Sequence, residues 1–144
     1  MQRIIVTRYG PPEVLRLEEA ETPAPAEGEV LVRVARAGIN FADLLARMGL
    51  YPGVPKPPFV PGHEVAGRVL ACGEGVADLL VGQPVLALCP QGGWSEQVVT
   101  PQRLVIPAPE GLSFAEGASI LLTGLTAIAC LEDAGRLLPG ERVF

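Results

Sequence analysis

Hydrophobic and polar residues alternate in short runs over most of the first 106 positions of the chain, and glycine and proline separate the runs. Residues 29–38 show the clearest alternation, with Val30, Val32 and Val34 on one face. This period of two is typical of a β-strand. Shorter runs predict further strands at residues 2–8, 14–19, 64–71, 85–89, 95–99 and 103–106. Several short strands separated by turns favour a mainly β fold, either a barrel or a sandwich.

The period changes to a helical one at residues 40–48. Apolar side chains recur there at positions i, i+3, i+4 and i+7, namely Phe41, Leu44, Leu45 and Met48. This spacing predicts a short helix, with Asn40 as its N-cap and Gly49 as its C-terminal stop. The segment 50–61 holds five prolines and is predicted to be a loop, because proline fixes φ and removes a donor. In the strand that follows, Gly67 is predicted to let another backbone approach closely.

The segment after Pro107 has a different character. Ser113 and Glu116 form the S-x-x-E pattern of a capping box and predict the start of a helix. Residues 120–131 predict a second, more apolar helix that lacks a polar face, and we expect it to be buried on most sides. Residues 136–144 predict a helix end, a turn and the first residues of a strand. So short a final strand is unusual, and we expect the polypeptide to continue beyond Phe144 in its parent protein.

Composition and charge narrow the functional classes. The chain has 144 residues, a net charge of −5 and a single lysine, and it has no block of basic residues, which argues against a nucleic-acid-binding surface. The longest uncharged run lies between Glu116 and Glu132 and is too short and too rich in small residues to predict a membrane span. The N-terminus lacks the apolar segment of a signal peptide, so a cytoplasmic location is expected.

The cysteines fit that location. Cys72, Cys89 and Cys130 are widely spaced and odd in number, which suits a reducing compartment better than a disulfide framework. Each lies among apolar neighbours, so all three are predicted to be small buried hydrophobic residues.

The polar residues that could carry chemistry cluster in and after the short helix: Asn40, Asp43, Arg47, Tyr51 and His63. The pattern alone favours a structural role, in which Asn40 caps the helix and Asp43 forms a surface ion pair with Arg47. A single histidine and the absence of a C-x-x-C pair argue against a zinc site. The simpler interpretation is that His63 and Glu64 anchor the start of a strand through hydrogen bonds.

Four segments, in this order along the chain, favour a functional role for these polar residues over a purely structural one: AGINFADLLARMGLYP, PFVPGHEVAGRV, GGWSEQVVTP and LLTGLTA. Together they resemble the medium-chain dehydrogenase/reductase superfamily, and they are most similar to its zinc-free, quinone oxidoreductase-like branch. The resemblance implies a GroES-like, partly open β-barrel at residues 1–112. It further implies that residues 113–144 form a helical connection and the start of a Rossmann cofactor domain, whose glycine-rich loop would follow Phe144.

This chain differs from the zinc enzymes of that superfamily at the positions that bind metal in those enzymes. Zinc alcohol dehydrogenases have a cysteine where this chain has Asn40 and another ligand where it has Leu122, so that His63 alone is retained. The four-cysteine lobe of their structural zinc is also lacking, and both metal sites are expected to be absent. Without a Lewis acid, hydride should pass to an acceptor whose product anion is delocalised, such as a quinone or an α,β-unsaturated carbonyl.

The resemblance also implies roles for individual residues. Asn40 and Tyr51 would be catalytic and would donate hydrogen bonds to the acceptor carbonyl. Phe41 and Thr126 would contact the nicotinamide end of NADPH. The remaining polar residues of the cluster would support the substrate pocket: Asp43, Arg47 and His63.

The sequence therefore predicts the N-terminal portion of an NADPH-dependent quinone or enone reductase, inactive without its cofactor domain. An alternative is a non-catalytic binding or assembly module that reuses the barrel. In that case the apolar helix at residues 120–131 would be a partner or homodimer surface.

Overall fold

The computed structural model describes residues 1–143, and within them seven strands and two α-helices. The strands are β1 (Gln2–Val6), β2 (Leu15–Glu19), β3 (Glu29–Ala37), β4 (Glu64–Cys72), β5 (Pro84–Leu88), β6 (Gln97–Pro101) and β7 (Val105–Pro107). The helices are α1 (Phe41–Met48) and α2 (Phe114–Ile128), and a π-helical turn, Ala129–Ala134, continues α2. The predicted mainly β fold is confirmed.

The strands form two antiparallel sheets. One has the order β6-β3-β4-β5-β7, and the other is the β1–β2 hairpin. The hairpin forms isolated bridges, Arg3–Ser95 and Val6–Phe59, with segments that precede β6 and β4 of the larger sheet. The main core lies on one face of the large sheet and is almost entirely aliphatic: Val30, Val32, Val65, Val69, Leu79, Val85, Ala87, Cys89, Val98 and Val105.

Helix α1 and the loop that follows it match their predictions. Asn40 is the N-cap of α1, and Gly49 ends the helix in the left-handed conformation with φ of 76°. The loop between Leu50 and Pro61 contains neither a helix nor a strand. Helix α1 packs onto the hairpin through Ala46, which is buried with Val6 and Val14.

The strands predicted from residues 14, 95 and 103 all start too early, and the second of them, β6, begins at Gln97. Val14 lies in a 3₁₀ turn at Pro12–Val14, and residues Gln102–Leu104 form a second 3₁₀ turn before β7. Proline explains both turns, because Pro12 and Pro101 fix φ near the values that favour a turn and cannot donate to a strand ladder.

Gly67 lies where β3 and β4 fall out of register, between the pairs Val34–Gly67 and Arg36–Ala66. A Cβ atom at position 67 would overlap the carbonyl oxygen of Arg33. The prediction that Gly67 permits a close backbone approach is therefore confirmed.

The two helices predicted after Leu112 are one continuous helix. Ser113 caps α2 as predicted, and its side chain accepts a hydrogen bond from the backbone N–H of Glu116. The helix does not stop before Ile120, because no proline interrupts it and Gly117 packs against Leu86, where a larger side chain would clash. The two-helix prediction is wrong because it placed a boundary where only a small residue was needed for packing.

The prediction that residues 120–131 are buried on most sides is also wrong for this chain. Gly117 and Ala118 are the buried residues of α2, whereas Ile120, Leu125 and Ile128 are exposed. The apolar side of the helix has no covering element within residues 1–143. The helical stretch Phe114–Ala134 is 21 residues long and could cross a membrane by length and composition alone. The prediction considered only the uncharged residues between Glu116 and Glu132, which form a shorter segment.

The C-terminal residues differ from their prediction. Residues 141–143 form no strand, and Phe144 lies outside the described residues. The boundary between residues 112 and 113 coincides with the N-cap of α2, and the division into two domains stays a prediction.

The cysteines behave differently from one another. Cys89 is buried in the core, and burial raises the pKa of its thiol to about 12, so it stays protonated at neutral pH. Cys72 is half-buried and Cys130 is exposed. The prediction of three buried cysteines is therefore confirmed for Cys89, holds in part for Cys72 and is wrong for Cys130.

Candidate functional site

A buried carboxylate, that of Asp43, organises the residues between α1 and β4. Its Oδ2 atom accepts the backbone N–H of Asn40 at 2.8 Å. Its Oδ1 atom accepts the backbone N–H of Gly62 at 3.0 Å and Nδ1 of His63 at 2.7 Å. The side chain is fully buried. Three donors therefore replace the water that an ionised carboxylate loses on burial.

The surface ion pair predicted between Asp43 and Arg47 is wrong. Asp43 is fully buried, Arg47 is only 9% exposed, and the described residues contain no ion pair between them. The helical spacing is compatible with a pair. Asp43 turns instead toward the start of β4, because the N–H of Gly62 and the imidazole of His63 need a buried acceptor.

A second buried carboxylate, that of Glu64, connects the sheet to both helices. Its Oε1 atom accepts a hydrogen bond from Nδ2 of Asn40 at 2.9 Å. Its Oε2 atom accepts the backbone N–H of Leu122 in α2, also at 2.9 Å. The prediction that His63 and Glu64 anchor a strand start is confirmed. The partners of Glu64 were not predicted, although a charged residue opening an apolar strand is a signal for a buried, bonded carboxylate.

His63 is the titratable group of this cluster. Its hydrogen bond to Asp43 raises the pKa of the imidazole above its usual value; burial opposes this shift, and the charge of Asp43 adds to it. The ring is partly exposed and lies next to Tyr51, with the two ring centroids 6.1 Å apart. His63 and Tyr51 line one small cavity, of about 220 Å³.

The raised pKa of His63 predicts a specific dependence of stability on pH. A protonated imidazole that gains a partner stabilises the fold fully below the unfolded pKa of about 6.5, and this stabilisation is lost as pH rises through the higher folded pKa. We expect the free energy of unfolding to fall between about pH 6 and pH 8 in the wild type. Urea denaturation at several pH values measures it.

The control is His63→Gln, which can still donate to Asp43 but does not titrate in this range. The difference between wild type and His63→Gln should shrink as pH rises. A difference that stays constant from pH 6 to pH 8 would contradict the ion pair between the imidazolium and Asp43.

Asn40 belongs to this hydrogen-bonded cluster, whereas Phe41 and Thr126 do not. Asn40 lines a separate cavity with Gly38, Glu64 and Ser119. Phe41 is 73% exposed. Thr126 is exposed on α2, where its hydroxyl donates to the carbonyl of Leu122 at 2.8 Å. The hydrogen-bonded set is thus Asn40, Asp43, His63 and Glu64, with Tyr51 beside it, and the roles proposed for all these residues stay predictions.

The donor chemistry at the site does not suit zinc. The side-chain amide of Asn40 donates to Glu64, Leu122 has no ligating side chain, and Nδ1 of His63 is bound to Asp43. Within residues 1–143, no group of three or more His, Cys, Asp or Glu side chains is arranged to hold a metal ion. A structural or catalytic zinc needs at least three protein ligands. The residues described at this site therefore do not fit a zinc ion.

Comparison with known proteins places this geometry among oxidoreductases. The alcohol dehydrogenase GroES-like domain family matches residues 26–110. The chain is 41% identical over 143 residues to the synaptic vesicle membrane protein VAT-1 homolog of Rattus norvegicus, covering 98% of this chain and 35% of that protein. It therefore spans about a third of the length of this curated relative.

Two solved structures are similar over nearly the whole chain. The quinone oxidoreductase of Pseudomonas syringae pv. Tomato has a TM-score of 0.91 and 37% identity, covering 97% of this chain and 43% of that one. The quinone oxidoreductase of Escherichia coli, solved in complex with NADPH, has a TM-score of 0.88 and 34% identity, covering 93% and 41%. The similarity thus extends over less than half of each of these chains.

Proposed function

Because the chain belongs to the family of alcohol dehydrogenase GroES-like domains, in the quinone oxidoreductase-like branch of the medium-chain dehydrogenase/reductase superfamily, we propose that it forms the substrate-side part of a zinc-independent reductase. The reaction is hydride transfer from NADPH to a quinone or an α,β-unsaturated carbonyl. The chain corresponds to the N-terminal part of these proteins and has their GroES-like fold. The Rossmann domain of the whole protein would bind the cofactor.

The choice of a quinone or an enone as the acceptor rests on the environment of Asn40. By its resemblance to the superfamily, Asn40 corresponds to a cysteine ligand of the zinc enzymes, and its amide is held by the buried carboxylate of Glu64. Such a site offers hydrogen bonds and no Lewis acid. A hydrogen bond stabilises a delocalised enolate or hydroquinone anion more readily than an isolated alkoxide. This supports a quinone or an enone as the acceptor.

The residues of this chain would orient and polarise the acceptor. Asn40 is fixed by Glu64 through one N–H of its amide and retains the other for the acceptor carbonyl. The hydroxyl of Tyr51, beside His63 at the second cavity, is the other proposed donor. Asp43 holds His63 in place and starts α1 at Asn40. When bound, NADPH supplies the hydride, and Phe41 and Thr126 are the residues proposed to meet its nicotinamide end.

The chain alone is expected to show no NADPH-dependent turnover, because the parts that would hold the phosphates of NADPH belong to the cofactor domain. Incubation of the 144-residue chain with NADPH and 1,4-benzoquinone, followed at the absorbance of NADPH, tests this. Oxidation well above the protein-free blank would contradict it.

The active form to test is the product of the complete reading frame that encodes this chain. In that product, Tyr51→Phe is expected to lower kcat/KM by about a hundredfold, as for removal of an oxyanion-stabilising donor. The matched control is Tyr9→Phe, whose hydroxyl binds the carbonyl of Pro55. Equal rates for wild type and Tyr51→Phe would remove Tyr51 from the proposed mechanism, and no reductase activity with any quinone or enone would overturn the function.

The exposed apolar side of α2 favours a second candidate, a non-catalytic module that docks or dimerises through this helix. The three exposed residues that define the surface are Ile120, Leu125 and Ile128. A glycine-rich Rossmann segment after Phe144 in the reading frame would support the reductase, and a stop codon there would support the module. Light scattering on the 144-residue chain adds a direct test, because the module is expected to be a homodimer.

The proposed location is the cytoplasm, because the three cysteines are free thiols, as expected in a reducing compartment.

A further inference from the structure

The carboxylate of Glu64 lies between the side-chain amide of Asn40 and the backbone of α2. Its Oε1 atom accepts a hydrogen bond from Nδ2 of Asn40, and its Oε2 atom accepts the backbone N–H of Leu122, each at 2.9 Å. Glu64 is only 1% exposed, and within residues 1–143 it belongs to no ion pair. Both oxygens are thus satisfied by N–H donors of this chain, as a buried carboxylate requires.

The space around Glu64 fixes the place of its carboxylate. A Cβ atom at position 38 would lie 2.6 Å from Oε1 of Glu64 and would overlap the backbone carbonyl of Ala118 in α2. Position 38 holds a glycine, and its backbone N–H donates to the carbonyl of Glu64 at 3.0 Å. The carboxylate fills the space that a side chain at position 38 would need, so it has little freedom to move away from its two donors.

The two donors to Glu64 differ in their freedom. The N–H of Leu122 belongs to the helix backbone and keeps its direction, whereas the amide of Asn40 can turn over and exchange its NH₂ group for its oxygen. An ionised carboxylate only accepts hydrogen bonds, so it selects the orientation in which the NH₂ group lies beside it. Asn40 and Glu64 line the same cavity, of about 290 Å³, between the end of β3 and α2. The second N–H of that NH₂ group is left for a molecule in this cavity.

We propose that Glu64 is a positioning residue of the reaction: it turns the NH₂ group of Asn40 toward the acceptor, and the backbone N–H of Leu122 holds Glu64 in place. This role rests on the reductase function proposed above, because the donor matters to the rate only if an anion forms on the acceptor oxygen. Glu64 acts through Asn40 and is not itself a catalytic residue. Helix α2, which belongs to the predicted helical connection, thereby sets the orientation of a donor in the substrate-side part.

Glu64→Gln tests this role in the product of the complete reading frame, with NADPH and 1,4-benzoquinone. Glutamine would keep its oxygen on the fixed N–H of Leu122 and present its NH₂ group to Asn40, whose amide would turn over. We expect kcat to fall by at least about tenfold, with the KM for NADPH changed by less than about twofold. Removal of a negative charge would by itself favour an anionic product, so the loss would come from the turned amide. Glu110→Gln, which neutralises an exposed carboxylate, should leave kcat unchanged.

A double-mutant cycle with Asn40→Ala distinguishes positioning from general support of the fold. In the Asn40→Ala background, Glu64→Gln should lower kcat by less than about twofold, because no amide is left to orient. A residue that only supports the fold would lower kcat by the same factor in both backgrounds. That outcome, or an unchanged kcat in Glu64→Gln, would overturn the role of Glu64, whereas a wild type without reductase activity would overturn the proposed function.

A second variant guards against misfolding of Glu64→Gln. Adding Asn40→Asp to it restores a hydrogen bond of reversed direction between positions 40 and 64, because the glutamine NH₂ group can donate to the new carboxylate. This double variant should fold and keep a low kcat, since it presents oxygen and no N–H to the acceptor. Recovery of the wild-type kcat would overturn the proposal.

The orientation can also be measured without turnover, because Asn40 is the only asparagine among the 144 residues. Isotope labelling of asparagine in this chain should give one pair of side-chain amide protons in NMR spectra. One of the two should be protected from exchange by its bond to Glu64, and this protection should be lost in Glu64→Gln while the circular dichroism stays that of the wild type. Protection that survives in the variant would contradict the control of Asn40 by Glu64.

Discussion

Replacing Asp43 with alanine is expected to lower the free energy of unfolding by about 3–5 kcal/mol. The substitution removes one acceptor that serves three donors, the backbone N–H groups of Asn40 and Gly62 and Nδ1 of His63. Asp43 is fully buried, so water cannot take its place without opening the structure. Urea denaturation at pH 7, followed by circular dichroism, measures the loss.

Two further variants make this result specific. Asp133→Ala removes an exposed aspartate from the π-helical turn and should change stability by less than about 0.5 kcal/mol. Asp43→Asn keeps one oxygen acceptor in place and should cost less than Asp43→Ala. If Asp43→Ala were no more destabilising than Asp133→Ala, the hydrogen bonds of Asp43 would not hold α1 to β4.

Gly67→Ala is also expected to lower the free energy of unfolding substantially, by about 3 kcal/mol. A methyl group at this position would overlap the backbone carbonyl of Arg33 on the neighbouring strand. Backbone atoms of a central strand cannot swing aside as a flexible side chain can, so β3 and β4 would have to separate or shift register. Thermal and urea unfolding of the variant measure the effect.

Gly124→Ala is the matched comparison for the same chemical change. Gly124 lies within α2, and the nearest atom to an added Cβ is a side-chain carbon of Ile120 at 3.8 Å. Alanine there should raise stability by about 0.5–1 kcal/mol, because it reduces the freedom of the unfolded chain. Similar changes in the two variants would show that propensity, and not the approach of the backbones, determines the effect at Gly67.

The strands and α1 could be predicted because their signals are local. The alternation in residues 29–38 and the helical spacing after Asn40 each depend on neighbours in sequence. The starts of β2 and β7 were misplaced by one or two residues, since Pro12 and Pro101 favour 3₁₀ turns that a hydrophobic pattern does not register.

The candidate site was predictable as a group of residues but not as a set of contacts. Asn40, Asp43 and His63 were identified together, yet the partner assigned to Asp43 was its neighbour one helical turn away. Besides the N–H of Asn40, its actual partners are Gly62 and His63, which lie about twenty residues further along the chain. Only the tertiary fold brings those donors to the carboxylate, and a helical periodicity contains no information about them.

The exposure of α2 shows a different limit. Its apolar sequence correctly indicates a surface that favours contact with other apolar groups. A sequence pattern cannot say whether the covering element belongs to the same described chain, and within residues 1–143 Ile120 and Leu125 remain uncovered. The burial prediction failed for this reason and not because the helix was misread.

The contact between Glu64 and α2 has a consequence for how this scaffold can diverge. Glu64 accepts a hydrogen bond from the backbone N–H of Leu122, and this bond does not involve the Leu122 side chain. Descendant sequences can therefore exchange the residue at position 122 for almost any other while keeping the helix attached, with proline as the exception because it lacks the N–H. The attachment of α2 to the sheet at this point thus depends on the backbone of residue 122 and not on the identity of its side chain.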